Sequence, residues 1–485
     1  MPVPTHRLRL LPSCLILVTA GWLFGCLLLP GREASVGAEE ALRVEQTLGL
    51  LEGTPQNTLV AAIGRKLAGA SGRPDGPWQF HIVDSPDANA FALPGGYVYV
   101  TRGLLALVNS EDELAGVIGH EIGHVTGRHS AGRMTLAAPF AIVSGVTRFA
   151  VGIVSPLLGD VIAGTGEALV GGLVIAPFSR EQEHRADATG QELVARAGYD
   201  PSALSSFLTT LSREAQLHVD QERRFHFLDT HPMTPERAER TRRRGTELPR
   251  EQSTPLTRNR ADFLERLAGL VVGADPARGI FEENRFLHPE LDFTLTFPTG
   301  WKTKNTSDAV GAASPDEDAL LVVQLLTVER VEELVEKLRA QDPTLEIERL
   351  TVGGLPAAHT RFDTRSRGQR QTIDVHWIEH RGVYQLVGTS VSEESGAQSV
   401  AFRKAAHSFR PLSGEERGQI RESRLRIVEA KPGETPEEIA GRSGTSWSAA
   451  ELAVANAIPQ GRSLAGGEPL KLAIPQPYTP RGVTP

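Results

Sequence analysis

Residues 120–124 of the chain read His-Glu-Ile-Gly-His, two histidines four positions apart with a glutamate beside the first. Residues four apart lie on one face of a helix, so His120 and His124 can direct two ring nitrogens at one zinc ion. Glu121 is then placed to take a proton from an attacking water. The motif indicates a zinc-dependent hydrolase in which the histidines are metal ligands and Glu121 is the general base.

Two capped helices are predicted to carry the chemistry. Ser110 can cap the helix that holds the motif, and a second helix is predicted from a cap at Ser179 to Gly198. On the second helix Glu183 is the predicted third ligand. Asp187, one turn later on the same face, can accept a hydrogen bond from a ligand histidine. Three protein ligands leave one position open, which is typical of catalytic rather than structural zinc.

Several ordered motifs resemble those of one family. They are residues 89–105 (NAFALPGGYVYVTRGLL), 120–124 (HEIGH), 178–180 (FSR) with Glu183 and Ala186-Asp187, and Thr230-His231-Pro232 followed by Arg237. Together they are similar to the gluzincin metallopeptidases of the HtpX and CAAX prenyl protease kind, and within these to the periplasmic BepA-like branch. The resemblance covers about residues 45–245. Arg185 departs from the family, which more often has Glu there, but that position is not a ligand.

The resemblance implies a zinc peptidase with one Zn²⁺ per chain, held by His120, His124 and Glu183. Glu121 and Asp187 are implied to be further catalytic groups. Peptide hydrolysis is therefore the expected reaction.

Two more positions follow from the family match. His231 and Arg237 are implied to line the site and to stabilise the oxyanion, with His231 as an alternative fourth ligand in a resting state. An edge strand is implied to bind the backbone of an extended substrate by strand addition. Its predicted residues are Phe91, Ala92, Leu93, Pro94, Gly95 and Gly96.

The first 38 residues have the layout of an export signal, with basic residues, an apolar run over 10–29 and small residues up to Ala38. Three interpretations stay open: cleavage after Ala38, lipidation at Cys26, and an uncleaved membrane anchor. All three place the rest of the chain in the periplasm or cell envelope.

The Gly-rich apolar segment 134–177 is expected to form packed or membrane-surface helices near the active cleft, with true membrane spans and a mobile lid as alternatives.

The chain of 485 residues is too long for one hydrophobic core and is predicted to be multidomain. Residues 39–275 are expected to form a mainly α-helical, zincin-type (gluzincin) metallopeptidase domain with a small β-sheet. An α+β accessory domain is predicted over 285–412. A small βααβ unit that resembles LysM domains is expected over 424–475, followed by a disordered tail over 476–485.

Finer predictions concern single elements. Residues 45–70 are predicted to be helical, 78–84 and 91–100 are predicted as strands, and 261–272 as a helix. The histidines of the α+β region show no ligand spacing and are expected to be surface or core residues. They are His288, His359, His376, His380 and His407.

Charge limits the partners. Lys and Arg number 51 against 59 Asp and Glu, and the net charge of -8 argues against nucleic acid as the main partner.

The expected partners are unfolded or misassembled envelope proteins, peptidoglycan through the LysM-like unit, and a membrane surface. We therefore expect an exported zinc metalloendopeptidase that cleaves unfolded or misassembled envelope proteins. The alternative is a chaperone-like or peptidoglycan-associated binding protein with little protease activity.

Overall fold

The computed structural model describes residues 30–129, 177–218, 226–306, 309–316, 318–366, 369–391 and 395–481. Within these ranges the first half of the chain is mainly helical and the second half is rich in strands. The predicted export segment before residue 30, with Cys26, and nearly all of the apolar segment 134–177 lie outside the described residues. Ala38, the predicted cleavage site, lies within the first described helix.

The elements of the helical half follow in chain order. They are α1 (Pro30–Leu48), α2 (Pro55–Gly69), β1 (Gln79–Val83), β2 (Ala90–Leu93), β3 (Tyr97–Thr101), α3 (Arg102–Leu107), α4 (Glu111–Thr126), α5 (Arg180–Arg196), α6 (Ala203–Leu217), α7 (Phe227–Thr230), α8 (Pro235–Glu247) and α9 (Arg260–Leu267). None of the helices in the described ranges is both long and apolar enough to cross a lipid bilayer.

A three-stranded sheet lies beside these helices, in the order β1-β3-β2. β1 runs parallel to β3, and β2 runs antiparallel to it. The stretch 91–100, predicted as one strand, is a hairpin instead. Gly95 and Gly96 form its turn with φ of 90° and 95°, a backbone conformation that favours glycine. β2 is thus one of the two outer strands of this sheet, and it packs against α4.

Two predicted helices have different bounds in the structure. Residues 45–70 form two helices, because Gly49 and Gly53 both adopt φ of 68° and interrupt the helical path. The helix predicted over 261–272 ends at Leu267, and the chain then forms a short strand. In both places a glycine with positive φ, Gly269 in the second, marks the break.

The centre of the helical half is the close crossing of α4 and α5. A Cβ atom added to Gly190 of α5 would lie 2.8 Å from the carbonyl carbon of Gly119 on α4. One added to Gly123 would lie 2.7 Å from the carbonyl oxygen of Ala186. Only glycine fits at these contacts, so the two backbones touch and the residues beside them face each other.

The helical half ends in the short strand β4 (Val271–Val272), after which the strand-rich half begins. It continues through β5 (Ile280–Glu282), β6 (Arg285–His288), β7 (Phe293–Thr296), β8 (Lys302–Asn305), β9 (Ala309–Ala313), β10 (Ala319–Leu326), α10 (Val331–Gln341), β11 (Glu348–Val352), β12 (Leu355–Ser366), β13 (Gln369–Glu379), β14 (Val383–Ser390), α11 (Ser395–His407), β15 (Arg410–Pro411), α12 (Gly414–Gln419), β16 (Arg421–Glu429), α13 (Pro436–Ser443), α14 (Ala449–Ala455) and β17 (Pro469–Pro477).

An antiparallel seven-stranded sheet dominates this half, in the order β11-β12-β13-β14-β10-β9-β8. Because side chains alternate between the two faces of a strand, each face builds its own core. One face packs Val375 and Trp377 against α10, and the other packs Leu386 against Phe402 of α11. A second sheet of four strands, β15-β7-β6-β5, contributes to the same α+β region.

The last described unit has the predicted order of strand, helix, helix and strand, from β16 to β17. Its identity as a LysM domain stays a prediction. β16 pairs with β17 on one side and with β4 on the other, so the sheet contains a strand from the end of the helical half. The fully buried Lys471 donates from Nζ to the carbonyl of Val108, at 2.6 Å. This unit is therefore joined to the helical half by a shared sheet and a buried polar contact.

The tail predicted to be disordered from residue 476 is docked as far as residue 481, contrary to that prediction. The buried Tyr478 hydroxyl donates to the Glu290 carboxylate. Arg481 forms an ion pair with Asp275, at 3.1 Å. Partners far away in the sequence hold this segment in place.

The glycine contact at the helix crossing leads to the first prediction. Gly190→Ala should lower the free energy of unfolding by about 1–3 kcal/mol, because the added methyl group meets backbone that has no room to move. Chemical denaturation followed by circular dichroism measures this.

Gly69→Ala is the matched control. Gly69 ends α2, and a Cβ there meets nothing within 4 Å. Its substitution should be neutral or stabilising by up to about 1 kcal/mol, since alanine is the better helix former. Equal effects of the two substitutions would contradict the close-contact argument.

Candidate metal centre

Helix α4 presents both motif histidines to the same point. Ser110 caps the helix, accepting a hydrogen bond from the backbone N–H of Glu113. The Nε2 atoms of His120 and His124 are 3.0 Å apart, and both side chains are fully buried. The spacing of four therefore produces the predicted convergence.

Helix α5 brings the third predicted ligand to this point. Its first turn is fixed by a reciprocal capping box between Ser179 and Gln182. Glu183, on the next position, directs Oε1 to within 3.2 Å of His124 Nε2 and Oε2 to within 3.7 Å of His120 Nε2.

A fourth donor arrives from the loop after α7. His231 Nδ1 lies 3.0 Å from Glu183 Oε1 and 3.2 Å from His120 Nε2. Its ring stacks on Phe227, with centroids 4.2 Å apart. The donor atoms of His120, His124, Glu183 and His231 all lie within 4.8 Å of one another, and all four residues are buried.

This donor set fits zinc. Around a tetrahedral zinc ion with bonds of about 2.0–2.1 Å, neighbouring donor atoms lie about 3.3 Å apart. The nitrogen and oxygen atoms described above are separated by 3.0 to 3.7 Å. Imidazole nitrogens with a carboxylate are also the ligand types that zinc prefers. The geometry confirms the predicted metal site.

Protonation states agree with a role in metal binding. Burial lowers the pKa of His124 well below its usual value, which leaves the ring neutral. Burial alone would raise the pKa of Glu183, but its contacts with His231 and His124 lower that pKa below the usual range. A neutral imidazole and an ionised carboxylate are the forms that bind metals.

Asp187 holds one ligand from behind. Its Oδ1 lies 2.9 Å from His120 Nδ1, the ring nitrogen that faces away from the convergence point. Burial would lower the pKa of His120, but this contact and the charge of Glu183 raise it. Acidic surroundings that favour a charged ring also favour a bound cation. The predicted supporting position of Asp187 is thus where the structure places it.

Arg237 organises the acidic side of the site. Its guanidinium binds Asp187 through two hydrogen bonds of 2.9 and 2.8 Å, and it contacts Glu183 Oε2 at 2.5 Å. It also donates to the carbonyls of His231 and Pro232. These contacts give Arg237 a positioning role among the ligand-bearing residues.

Glu121, the predicted general base, lies beside the ligands. Its side chain is fully buried, and Oε1 is 3.5 Å from His231 Nε2. Glu121 and His231 are therefore neighbours in the site, although they are far apart in the sequence.

Two residues, His129 and Phe178, contact His124 in the structure, although the sequence motifs predicted no role for either. His129 Nδ1 lies 3.1 Å from His124 Nδ1, and the Phe178 ring stacks on His124 with centroids 3.7 Å apart. The FSR motif contained Phe178 but indicated no role for it. A histidine five residues after a ligand has no recognised ligand spacing, so only the turn after α4 brings His129 into place.

The predicted substrate strand divides into two parts. Phe91, Ala92 and Leu93 belong to the outer strand β2, whereas Pro94, Gly95 and Gly96 form the hairpin turn. The role of this segment in substrate binding stays a prediction.

Comparison with known proteins agrees with this geometry. Residues 55–244 match the family model "Peptidase family M48", which confirms the resemblance seen in the motifs. The mitochondrial metalloendopeptidase OMA1 of Schizosaccharomyces pombe is 29% identical over 183 residues, covering 38% of this chain and 51% of that protein.

Two bacterial relatives match a longer segment. The beta-barrel assembly-enhancing protease of Escherichia coli (strain K12) is 27% identical over 232 residues, covering 46% of each chain. The putative beta-barrel assembly-enhancing protease of Vibrio cholerae is 30% identical over 246 residues, covering 49% of each. The chain spans about half the length of these curated relatives.

The contact between Asp187 and His120 leads to the second prediction. Asp187→Ala should weaken zinc binding by about 10- to 100-fold without removing a ligand, because His120 loses the acceptor that orients its ring. Titration against a chromophoric chelator measures the affinity. Glu181→Ala, on the exposed side of the same helix, is the control and should bind zinc like the wild type. Equal zinc affinities in the two variants would contradict the predicted role of Asp187 in orienting His120.

Proposed function

We propose that this chain, whose residues 55–244 match the model of peptidase family M48, is a zinc-dependent metalloendopeptidase. The observation that carries the proposal is the buried convergence of His120, His124 and Glu183 with Glu121 beside them. A binding protein needs no such set of groups, because a buried glutamate next to a metal site costs stability, and groups of this kind cluster where they serve chemistry.

Each of the five residues around the metal position has a proposed role. His120, His124 and Glu183 would hold zinc, with Asp187 orienting His120 and Arg237 orienting both carboxylates. When bound, zinc would supply Lewis acidity that polarises a peptide carbonyl and acidifies the attacking water. Proton transfer and stabilisation of the oxyanion would be carried out by side chains.

Glu121 is the proposed general base. It would accept a proton from the attacking water and return it to the leaving amine, a role that requires a carboxylate within hydrogen-bond reach. Its burial keeps bulk water away from that proton transfer.

His231 is proposed to serve the site in one of two ways. As a fourth ligand it would close the coordination sphere, as its Nδ1 contact with Glu183 favours. As a hydrogen-bond donor through Nε2, the atom that faces Glu121, it would stabilise the oxyanion. His231→Ala separates these roles: loss of zinc affinity supports the first, and loss of turnover at unchanged zinc affinity supports the second.

The proposed substrates are unfolded or misassembled proteins of the cell envelope. Two observations support this class: the export-signal layout of the first 38 residues, and the similarity to proteins named beta-barrel assembly-enhancing proteases. β2 remains the proposed docking strand for an extended substrate, since it packs against the ligand-bearing α4.

The third prediction tests the general base. Glu121→Gln should keep zinc binding and fold but reduce peptide hydrolysis by at least about 100-fold, because an amide cannot accept the proton. Zinc content by elemental analysis and cleavage of fluorescent casein measure the two properties. Glu192→Gln, an exposed glutamate on α5, should leave both unchanged. Zinc loss in Glu121→Gln would instead assign Glu121 to metal binding.

The fourth prediction separates the function classes. The zinc-loaded chain should hydrolyse unfolded casein and leave purified peptidoglycan sacculi intact, because the proposed strand pairing requires an extended polypeptide. Product release from both substrates is measured side by side. Cleavage of sacculi alone would favour the peptidoglycan-associated alternative, and inactivity on both would favour a binding protein.

A further inference from the structure

The seven-stranded sheet carries a second cluster of possible metal ligands, far from the helical half in sequence. His359 on β12 lies directly opposite His376 on β13 in the antiparallel register. Asp374 precedes His376 by two positions on the same strand, so all three side chains are on one face. Their alignment depends on strand pairing, which explains why their spacing in the sequence gave no signal.

Both histidines contact the same carboxylate oxygen of Asp374. His359 Nε2 and His376 Nδ1 each lie 3.2 Å from Oδ1 of Asp374. The two imidazole rings are adjacent, with centroids 4.4 Å apart. Their donor atoms all fall within 4.8 Å of one another.

We propose that His359, Asp374 and His376 form a second metal site, which binds one first-row divalent transition-metal ion. Two imidazoles and one carboxylate are a ligand set that suits zinc, iron, cobalt and nickel, and they suit magnesium or calcium poorly. The nitrogen-to-oxygen separations of 3.2 Å match the spacing of about 3.3 Å between ligands around a tetrahedral zinc ion.

The state of Asp374 supports this assignment. Its side chain is fully buried, and Oδ2 has no hydrogen-bond partner among the described residues. A buried carboxylate oxygen without a partner is costly, and a cation at the cluster would offset that cost.

The site is open on one side. The His359 side chain keeps 15% of its surface exposed, whereas His376 and Asp374 are buried. Glu348 on the neighbouring β11 stands opposite His359, with Oε2 3.8 Å from His359 Nδ1, and adds negative charge at the entrance. An ion can therefore reach the buried ligands from solvent past His359.

Metal counting in the full-length chain tests the proposal, with Zn²⁺ as the probe. After removal of metals by a chelator, the wild type should bind two equivalents of Zn²⁺ in calorimetric titration. Asp374→Asn, His376→Ala and His359→Ala should each bind one, and so should Glu183→Ala, which retains only the second site. His380→Ala, in the same region but outside the cluster, should bind two.

A second measurement guards against variants that misfold. In Glu183→Ala, Zn²⁺ should raise the unfolding temperature, because an ion that binds only the folded state stabilises it. The additional substitution His359→Ala, which truncates only the partly exposed ligand, should abolish that increase. Co²⁺ added to Glu183→Ala should give visible d–d absorption bands that disappear in the double variant.

The outcomes are decisive in both directions. A single equivalent in the wild type that is lost in Glu183→Ala and kept in Asp374→Asn would overturn the proposal. So would binding in Glu183→Ala that is displaced by millimolar Mg²⁺, since that ion does not compete for imidazole ligands. None of these readouts depends on proteolysis, so failure of the proposed enzyme activity would leave them interpretable.

Discussion

The contact between the backbones of α4 and α5 is the constraint on which the functional site depends. Gly119, Gly123 and Gly190 leave no space for a Cβ atom at the contact, so the two helix backbones approach closely. His120 lies next to Gly119 and His124 next to Gly123, and both face the ligand-bearing side of α5. A larger residue at the crossing would push the helices apart and displace the candidate ligands that each helix carries. The glycines thus convert two separate helices into one site.

This close contact also concentrates charge in a place without solvent. Glu183 and Asp187 are buried together, and Arg237 neutralises part of their charge through contacts with both. A buried carboxylate that lacks a partner is expensive, whereas one shared between a guanidinium and an imidazole is tolerated. The same hydrogen bonds keep the carboxylates ionised and the rings oriented. Electrostatic stability and readiness to bind a cation therefore have a common origin.

The strand-rich half is attached to the helical half by structure as well as by sequence. β4 leaves the helical half and completes the sheet of the last unit, and Lys471 reaches from that unit to the carbonyl of Val108. Leu425 and Ala455 belong to the same hydrophobic core as the helices of the metal site. Within the described residues, the terminal unit is thus part of the environment in which the helical half folds.

The sequence by itself determined the features that depend on neighbours along the chain. The ligand spacing of His120 and His124 follows from helical periodicity, and the caps at Ser110 and Ser179 follow from residues within one turn of each helix start, so both are local. Tertiary structure alone decided what depends on distant partners. The contact of His129 with His124, the docking of Arg481 and the meeting of His359 with His376 each require the folded chain. Strand register and helix crossing place residues together without leaving a repeat in the sequence, and for that physical reason no local pattern could reveal them.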